Sequence, residues 1–395
     1  MEIDEAPALA AVRAEARAWL DENWPAFQRE YPDRGRYDGE RARAWQRRLA
    51  AGGWGAPSWP AEYGGRGFGP LEATVWSEEK ARAGATIPFN VVGFGMAGPT
   101  IISHASDEQK QRYLPALLKG DEIWCQLFSE PGAGSDLASI TTRAVRDGED
   151  WVITGQKVWS SSAHEADWGL LLARHDFDLP KHKGLVYLLA DMRSPGIEVR
   201  PLKQMDGGAH FNEVFLEDVR VPHANRLGEP GDGWRIAITT LMHERMSIGS
   251  ASGGYVFSFD TLAQIARDRS PGGLDPLTRD ALAKVYTQRR ILEMLNARIL
   301  AKIGRGQIPD AEGSIMKLVL ADLVSDMTAT GMSILGADGT VFGDDAVQRA
   351  FLGAPAFHIG GGTDEIQRNL IGERVLGLPK DPSPDKEIPF GRASR

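Results

Sequence analysis

Two segments rich in glycine or hydroxyl groups could present hydrogen-bond donors to a bound ligand. The first runs from Phe128 to Asp136 and reads FSEPGAGSD. Proline and glycine would hold its backbone in a fixed, exposed loop, whose N–H groups and hydroxyls could contact an electron-rich ligand. The alternative is a surface loop that binds nothing, and composition alone leaves both open.

The second segment runs from Gln156 to Ser162 (QKVWSSS) and ends a predicted strand with an indole and three hydroxyls. A tryptophan ring can lie against another planar ring, while a neighbouring hydroxyl bonds to the edge of that ring. The commoner role for Trp159 is that of a half-buried strand residue, so this segment too has two interpretations.

Charged and glycine-rich segments in the C-terminal half are further candidates. Residues 243–245 (HER) lie within an apolar helical pattern, where a carboxylate and a guanidinium form either a solvated face or a pair of site residues. Three glycines at 360–362 precede Thr363, a good helix N-cap, and a glycine-rich turn into a helix N-terminus suits an anion. A flexible hinge is the alternative for the glycines.

One apparent nucleotide motif does not fit its required context. Residues 93–98 (GFGMAG) match the dinucleotide fingerprint GxGxxG. That fingerprint needs a preceding strand and a following helix inside a βαβ unit, but Pro99 follows at once and the surroundings are helical. A tight turn between helices is the better explanation. The sequence contains neither a Walker phosphate loop nor a GxSxG nucleophile elbow.

Composition disfavours metal and nucleic-acid chemistry. The chain has one cysteine, Cys125, and eight histidines without HExxH spacing, so no metal site is predicted. A net charge of −9 argues against a general nucleic-acid binder, although local cations or backbone N–H groups can still hold a small anion. The single cysteine and an N-terminus without signal-peptide features predict a cytoplasmic location. No run approaches ~18 consecutive apolar residues, so no membrane span is predicted.

Length and patterning predict three domains. The 395 residues are 42% hydrophobic and 25% charged, as in soluble globular chains of two or three domains. Helical spacing dominates to about residue 122, strand-like segments follow, and helical spacing returns at 234. We therefore expect an N-terminal α-helical domain (1–122), a central β domain with the spacing of an antiparallel barrel or sandwich (123–233), and a C-terminal α-helical domain (234–395).

Local signals predict the elements within these domains. Helices are expected at 8–20, 41–51, 107–118, 234–251, 253–267, 276–302, 313–335 and 363–376. Strands are expected at 141–146, 151–159, 168–174, 185–191, 196–201 and 213–216, with Asp147-Gly148 turning the first hairpin. The tail from Pro379 is expected to be an extended arm.

Taken together and in this order, the segments resemble motifs of the acyl-CoA dehydrogenase family. The matching stretches are 98–124, 128–136, 155–174, 241–249 and 360–381, which together reach across nearly the whole chain. The resemblance implies an α+β multidomain fold: an N-terminal helical domain, a central antiparallel β-barrel domain and a C-terminal four-helix bundle. It also implies a noncovalent FAD and an acyl-CoA thioester that is dehydrogenated to a trans-2-enoyl-CoA.

The resemblance also implies roles for individual residues. A glutamate would remove the α-proton while the β-hydrogen leaves as hydride to flavin N5. Ser135 would lie near the phosphate or pantetheine arm of CoA. The residues that would bind FAD are Gln126, Phe128, Ser129, Trp159 and Ser161 around the flavin ring, Thr363 and Glu365 near the ribose and pyrophosphate, and Gly336, with Gly339, in a turn that touches a neighbouring subunit's FAD.

The first departure from the family pattern concerns the catalytic base. Many members carry the catalytic glutamate in the loop where this chain has Gly361, which cannot act as a base. A minority place it on the bundle helix directly before an arginine, and Glu244 before Arg245 matches that arrangement. Glu244 is therefore the predicted base, and Arg245 would orient the site or the ligand. Gly361 and Gly362 would offer a backbone N–H to the thioester oxygen.

The second departure is the stretch Arg267–Arg279, which lacks the family's Arg-x-x-Phe-Gly contact to FAD; Arg267, Arg269 or Arg279 could substitute. This pattern resembles bacterial members that include heteromeric complexes, some acting on sterol side-chain thioesters. The expected partners are an acyl-CoA, an electron-transferring flavoprotein, and further subunits in a homotetramer, a dimer or a heterotetramer with a related subunit. The alternatives are an acyl-CoA oxidase or related flavoenzyme, and a non-catalytic subunit of a heteromeric dehydrogenase.

Overall fold

The chain folds in the order helices, sheet, helices. The computed structural model describes residues 7–33, 37–250, 257–305, 312–341, 346–382 and 386–392, without the side chains of 245–250 and 303. The N-terminal helices are α1 (Pro7–Glu30), α2 (Gly39–Ala51), α3 (Pro70–Ala83), α4 (Gly98–His104) and α5 (Asp107–Lys119).

Helix α5 shows how local sequence sets the ends of an element. Ser106 and Gln109 form a reciprocal capping box, which satisfies backbone N–H groups that the first turn leaves free. Gly120 ends the helix with φ +74°, a left-handed conformation that glycine adopts at low cost. The predicted bounds of 107–118 are therefore accurate to one residue.

Helix α1 is longer than predicted, because its buried face continues past residue 20. Trp24 and Phe27 are buried and extend the apolar spacing, while Pro25 is accommodated inside the helix. Trp24 packs edge-on against Trp45 of α2, with ring centroids 4.9 Å apart. An aromatic core therefore joins α1 to α2.

The central region is one sheet of eight strands: β1 (Trp124–Leu127), β2 (Arg143–Asp147), β3 (Asp150–Lys157), β4 (Trp168–Arg174), β5 (Leu185–Asp191), β6 (Ile197–Leu202), β7 (Phe211–Pro222) and β8 (Arg226–Leu227). Their order in the sheet is β6-β7-β3-β2-β4-β5-β8, with β1 beside β4. Most pairings are antiparallel, and the predicted hairpin joins β2 to β3 through Gly148 at φ +59°. Strands β1 and β2 pair with β4 in parallel.

Both faces of β4 and β5 are buried, which explains why these strands are continuous apolar runs. Leu171 and Leu188 belong to a core formed by side chains of the sheet itself. Leu172 and Tyr187 belong to a second core that the sheet shares with the helices around it. Through this second core, β5 packs against helices that precede the sheet in the chain and against a helix that follows it.

Helices return after the sheet and surround one central helix. They are α6 (Gly233–Ser250), α7 (Phe259–Arg269), α8 (Pro276–Ile303), α9 (Glu312–Leu335), α10 (Ala346–Gly353), α11 (Ala356–Ile359) and α12 (Asp364–Leu370). Helix α9 packs against α6, α7, α8, α10, α11 and α12. By length and composition α9 could also cross a membrane, but buried residues such as Leu320 and Val324 mark it as a core helix.

Other predicted elements also differ from the structure. The strand predicted at 213–216 extends over Phe211–Pro222 as β7. Residues 93–97 form a turn of π-helix that continues into α4, rather than a tight turn between helices. The helix predicted from 253 is described from Phe259, after the Ser258 cap, and residues 251–256 lie outside the description. The helix predicted to reach 376 changes from α12 to a π-helical turn at Ile371–Val375.

The C-terminal arm is anchored on the sheet rather than free. Phe390 is buried, its backbone N–H donates to the Leu179 carbonyl at 2.9 Å, and its ring centroid lies 3.7 Å from the Arg174 guanidinium carbon. Arg174, at the end of β4, is fully buried. The arm therefore joins the chain end to the central sheet.

Candidate functional site

Strand β1 leads into the glycine-rich loop and positions its first residues. Gln126 is half-buried on β1, Phe128 is buried just after it, and Ser129 begins the turn. Among the described residues, the Gln126 side-chain N–H₂ is buried without a hydrogen-bond partner. A buried amide donor without a partner is costly unless a ligand satisfies it.

A buried ion pair between Lys157 and Glu130 holds this loop in place. The Lys157 ammonium donates to the Phe128 carbonyl and to Glu130 Oε1, both at 2.9 Å. Glu130 also accepts backbone N–H bonds from Thr141 at 2.7 Å and Thr142 at 2.9 Å. Burial disfavours the Glu130 charge, but Lys157 and these donors outweigh it and hold the pKa of Glu130 at about 2. Burial lowers the pKa of Lys157 to about 8, so its ammonium is mostly charged at neutral pH.

The end of β3 meets the same loop and displays Trp159. The Val158 N–H donates to the Ser129 carbonyl at 2.9 Å, which joins the two segments. Trp159 has φ +60° and is 61% exposed, in place of the half-buried strand position that is commoner for tryptophan. Such a strained, exposed aromatic residue is typical of a functional site.

The serines beside Trp159 differ in environment. The Ser160 backbone pairs with Asn212, and in the described part of the chain its buried hydroxyl has no hydrogen-bond partner. Ser161, one of the residues predicted to lie around the flavin ring, is half-buried next to it. The structure therefore brings Gln126, Phe128 and Ser129 together with residues 158–161.

Glu244 lies on α6, half-buried and one helical turn after the buried Thr240. Helix α6 packs against β5 and against the π-helical segment 93–97. The base predicted from sequence is therefore on an element in contact with the sheet. The side chain of Arg245 lies outside the description.

The glycine loop before α12 has a conformation that requires glycine. Gly361 and Gly362 have φ +68° and +89°, and a Cβ at Gly362 would lie 2.7 Å from Gln367 Nε2. Gln367 is buried and donates to the Gly361 carbonyl at 2.7 Å. Thr363 caps α12 through its hydroxyl, as predicted.

A polar network that the sequence did not indicate joins this loop to α9. Asp364, just after the glycines, accepts from the Lys317 ammonium at 2.7 Å and lies 2.6 Å from His358 Nδ1. The other ring nitrogen of His358 lies 2.8 Å from the Ser325 hydroxyl. His358 and Asp364 lie on either side of the glycine loop, and they contact Ser325 and Lys317 of α9. Both ends of the loop are therefore attached to α9.

Three predicted residues lie at the surface. Ser135 is exposed in the glycine-rich loop, and Glu365 is exposed on the first turn of α12. Hydrogen bonds from the Glu365 backbone N–H and from Thr363 lower the pKa of Glu365. Gly336, exposed at φ +57°, begins the turn Gly336–Thr340 at the end of α9.

The turn after α9 contacts one of the three arginines that could replace the missing Arg-x-x-Phe-Gly contact to FAD. Of the three arginines considered, Arg269 forms an ion pair with Asp338 of that turn. Arg267 donates to Gln264, and Arg279 donates to the Leu274 carbonyl. Arg269 is thus the one of the three that the structure places beside the Gly336–Thr340 turn.

Three stretches of the chain match models of one protein family. Residues 7–121, 125–219 and 231–376 match the models of the acyl-CoA dehydrogenase N-terminal, middle and C-terminal domains. The chain is 39% identical over 378 residues to acyl-CoA dehydrogenase IpdE1 of Mycobacterium tuberculosis, covering 93% of this chain and 97% of that protein. It is 32% identical to the human mitochondrial short-chain specific acyl-CoA dehydrogenase, covering 80% of this chain and 78% of that protein.

Solved structures give the same result. The structure titled Tcur3481-Tcur3483 steroid ACAD has a TM-score of 0.82 at 32% identity, covering 96% of this chain and 100% of that chain. The ChsE4-ChsE5 complex from Mycobacterium tuberculosis has a TM-score of 0.77 at 30% identity, covering 96% and 100%. These matches confirm the predicted order of helical, β-sheet and helical domains.

Proposed function

Because the chain belongs to the acyl-CoA dehydrogenase family, we propose that it catalyses FAD-dependent α,β-dehydrogenation of an acyl-CoA thioester to a trans-2-enoyl-CoA, with Glu244 as the base. The observation that carries this proposal is the meeting of two polar loops at one place. There the buried amide of Gln126 lacks a protein partner in the described chain, and the indole of Trp159 is exposed at a strained φ. Both features suit a planar, hydrogen-bonding ligand.

The residues at this place fit a flavin. The unpartnered Gln126 amide and Ser160 hydroxyl supply buried polar groups, and Trp159 supplies an exposed aromatic face. Gln126, Phe128, Ser129, Trp159 and Ser161 would hold the ring system; Thr363, Glu365 and Gly336 would contact the remainder of FAD. When bound, FAD would supply a hydride acceptor.

The chain's own residues would carry the proton chemistry. Glu244 would remove the α-proton of the thioester as a general base. Backbone N–H groups of Gly361 and Gly362 would stabilise the charge that develops on the thioester oxygen. Arg245 would orient the ligand, and Ser135 would contact the CoA arm.

The test is anaerobic flavin bleaching with a panel of acyl-CoAs. We expect the wild-type flavin to be reduced, whereas Glu244→Gln keeps its FAD and loses reduction by about 10²–10⁴-fold, the usual contribution of a general base. Glu217→Gln, an exposed strand glutamate, is the matched control and should behave as wild type. Full bleaching of Glu244→Gln would exclude Glu244 as the base.

A second candidate function is that of a non-catalytic subunit in a heteromeric dehydrogenase. The two-component titles of the structural relatives favour it, together with Gly361 in place of a loop glutamate. Protein expressed alone would then lack FAD and acquire it with a related partner chain. Stoichiometric FAD in a homotetramer or dimer would support the catalytic assignment instead.

The acceptor and location complete the proposal. We propose an electron-transferring flavoprotein as acceptor and a cytoplasmic location, which suits the buried free thiol of Cys125. An oxidase would release hydrogen peroxide during turnover, so peroxide measured against reduction of an electron-transferring flavoprotein separates the two activities.

A further inference from the structure

Three buried hydroxyls join three separate elements beneath the proposed site. Thr100 of α4, Tyr187 of β5 and Thr240 of α6 are all fully buried. The Thr240 hydroxyl oxygen lies 3.0 Å from the Tyr187 hydroxyl and 2.9 Å from the Thr100 hydroxyl. We call these three residues the hydroxyl trio.

The direction of the hydrogen bonds follows from the number of protons. Thr240 Oγ1 lies 3.1 Å from the Ile236 carbonyl, which can only accept, so the single Thr240 proton goes there. Thr240 must then accept from both Thr100 and Tyr187, which uses both of its lone pairs. Burial raises the pKa of Tyr187, which keeps its phenol protonated as a donor. The Thr240 oxygen is therefore saturated, with one bond donated and two accepted.

The trio lies between the two halves of the proposed site. Thr240 is one helical turn before Glu244, and residues four apart lie on the same side of a helix. On the other side, Phe128 packs edge-on against Tyr187, with ring centroids 5.7 Å apart at 89°. Tyr187 therefore contacts both the flavin-side loop and the helix that carries the proposed base.

Stability alone does not require this arrangement. Replacing all partners of a buried hydrogen bond by apolar groups of the same shape is often nearly neutral. A saturated polar cluster instead admits one register of the packed elements, because a shifted register leaves donors without acceptors. With apolar side chains at these three positions, α6 could shift its register against β5, whereas the hydroxyl trio opposes such a shift.

Resting on the proposed function, we propose that Thr100, Tyr187 and Thr240 are positioning residues. They fix the register of α6 against β5, and so hold Glu244 at a set distance from the substrate α-carbon and the flavin-side loop. A misplacement of about 1 Å in such a geometry can cost about 10²-fold in rate.

The test compares Thr240→Val with the triple variant T100V/Y187F/T240V. The single variant leaves two buried donors without an acceptor, so its unfolding temperature should fall. The triple variant removes all three hydroxyls, so its unfolding temperature and FAD content should return close to wild type. Thr287→Val, at an exposed threonine of α8 whose hydroxyl donates to the Ala283 carbonyl of its own helix, is the matched control and should leave flavin reduction unchanged.

Positioning predicts a specific kinetic result for the triple variant. Its rate of flavin reduction at saturating acyl-CoA should fall about tenfold or more, with a small change in half-saturating concentration and a shifted pH profile. A wild-type rate and pH profile in the folded, FAD-loaded triple variant would overturn the proposal, because a purely structural trio predicts that result.

A readout independent of turnover separates this proposal from the proposed function. If no acyl-CoA bleaches the wild-type flavin, the proposed function fails. Hydrogen exchange of the amides at 236–244 still tests the trio, because a released register should accelerate exchange about tenfold in the triple variant at unchanged global stability. Unchanged exchange would overturn the positioning role.

Discussion

At the scale of single residues, Glu130 shows how a buried charge can shape a ligand loop. Its carboxylate is buried and accepts from Lys157 and from the backbone at 141 and 142. These contacts hold its pKa at about 2, below the ordinary 4.5, despite the opposing effect of burial. A depressed carboxyl pKa stabilises the fold above the unfolded value, and this contribution is lost as pH falls from 4.5 towards 2.

Glu130→Gln should therefore be less stable than wild type at pH 7, by an amount that shrinks in acid. The pKa of about 2 in the folded protein and 4.5 in the unfolded chain predict how the variant and wild type differ in free energy of unfolding. That difference should be smaller by about 1 kcal/mol at pH 4 than at pH 7. Urea denaturation at both pH values measures it. Glu149→Gln, whose side chain is 96% exposed, is the control and should show no such change. An equal destabilisation by Glu130→Gln at both pH values would contradict the assignment.

At the scale of elements, the glycine loop depends on α9. Breaking the buried pair through Lys317→Met leaves the Asp364 carboxylate with His358 alone, which should cost about 3–5 kcal/mol. The double variant K317M/D364N should recover part of that loss in urea denaturation. Lys284→Met removes a more exposed ammonium of α8 that pairs with Asp326 of α9, and it should cost less than about 1 kcal/mol. Similar losses from the two lysine variants would exclude a special role for Lys317.

The elements also show what sequence can and cannot predict. The sequence predicts β4 and β5 with the bounds that the structure shows, because both of their faces are buried and this produces unbroken apolar runs between turn residues. The sequence does not indicate helix α3, whose apolar spacing is weak. Nor does it indicate β1, which is four residues long and pairs with a strand distant in sequence.

The same distinction applies to the candidate site. Local patterns indicate residues 243–245, Trp159 and the glycine loop as candidates, and the resemblance to the family makes Glu244 the predicted base. The Lys317–Asp364 pair joins residues 47 apart, and Thr100 meets Thr240 across 140 residues. No local sequence pattern predicts such contacts, because they form only when elements distant in sequence pack against one another. The roles of the site residues and the domain divisions at 122/123 and 233/234 stay predictions.

At the scale of the whole molecule, the C-terminal arm packs against the central sheet. Phe390 covers the buried Arg174 guanidinium, which also donates to the Ile140 carbonyl at 3.0 Å. Gly391 N–H donates to the Phe177 carbonyl at 2.8 Å, so the arm is held by backbone as well as by the ring. A residue from the end of the chain thus completes the core around a central strand.

Phe390→Ala should expose Arg174 to water and lower the free energy of unfolding by about 3 kcal/mol, the usual cost of removing a buried phenylalanine ring. Hydrogen exchange should accelerate at the end of β4 and in residues 176–182, while the helices around α9 keep their protection, because the lost contacts lie only on the sheet. Ile388→Ala, at a more exposed side chain two residues away, is the matched control and should cost less than about 1 kcal/mol. If the two alanine variants unfold alike, the arm is a loose tail, and Arg174 is held by its carbonyl partners alone.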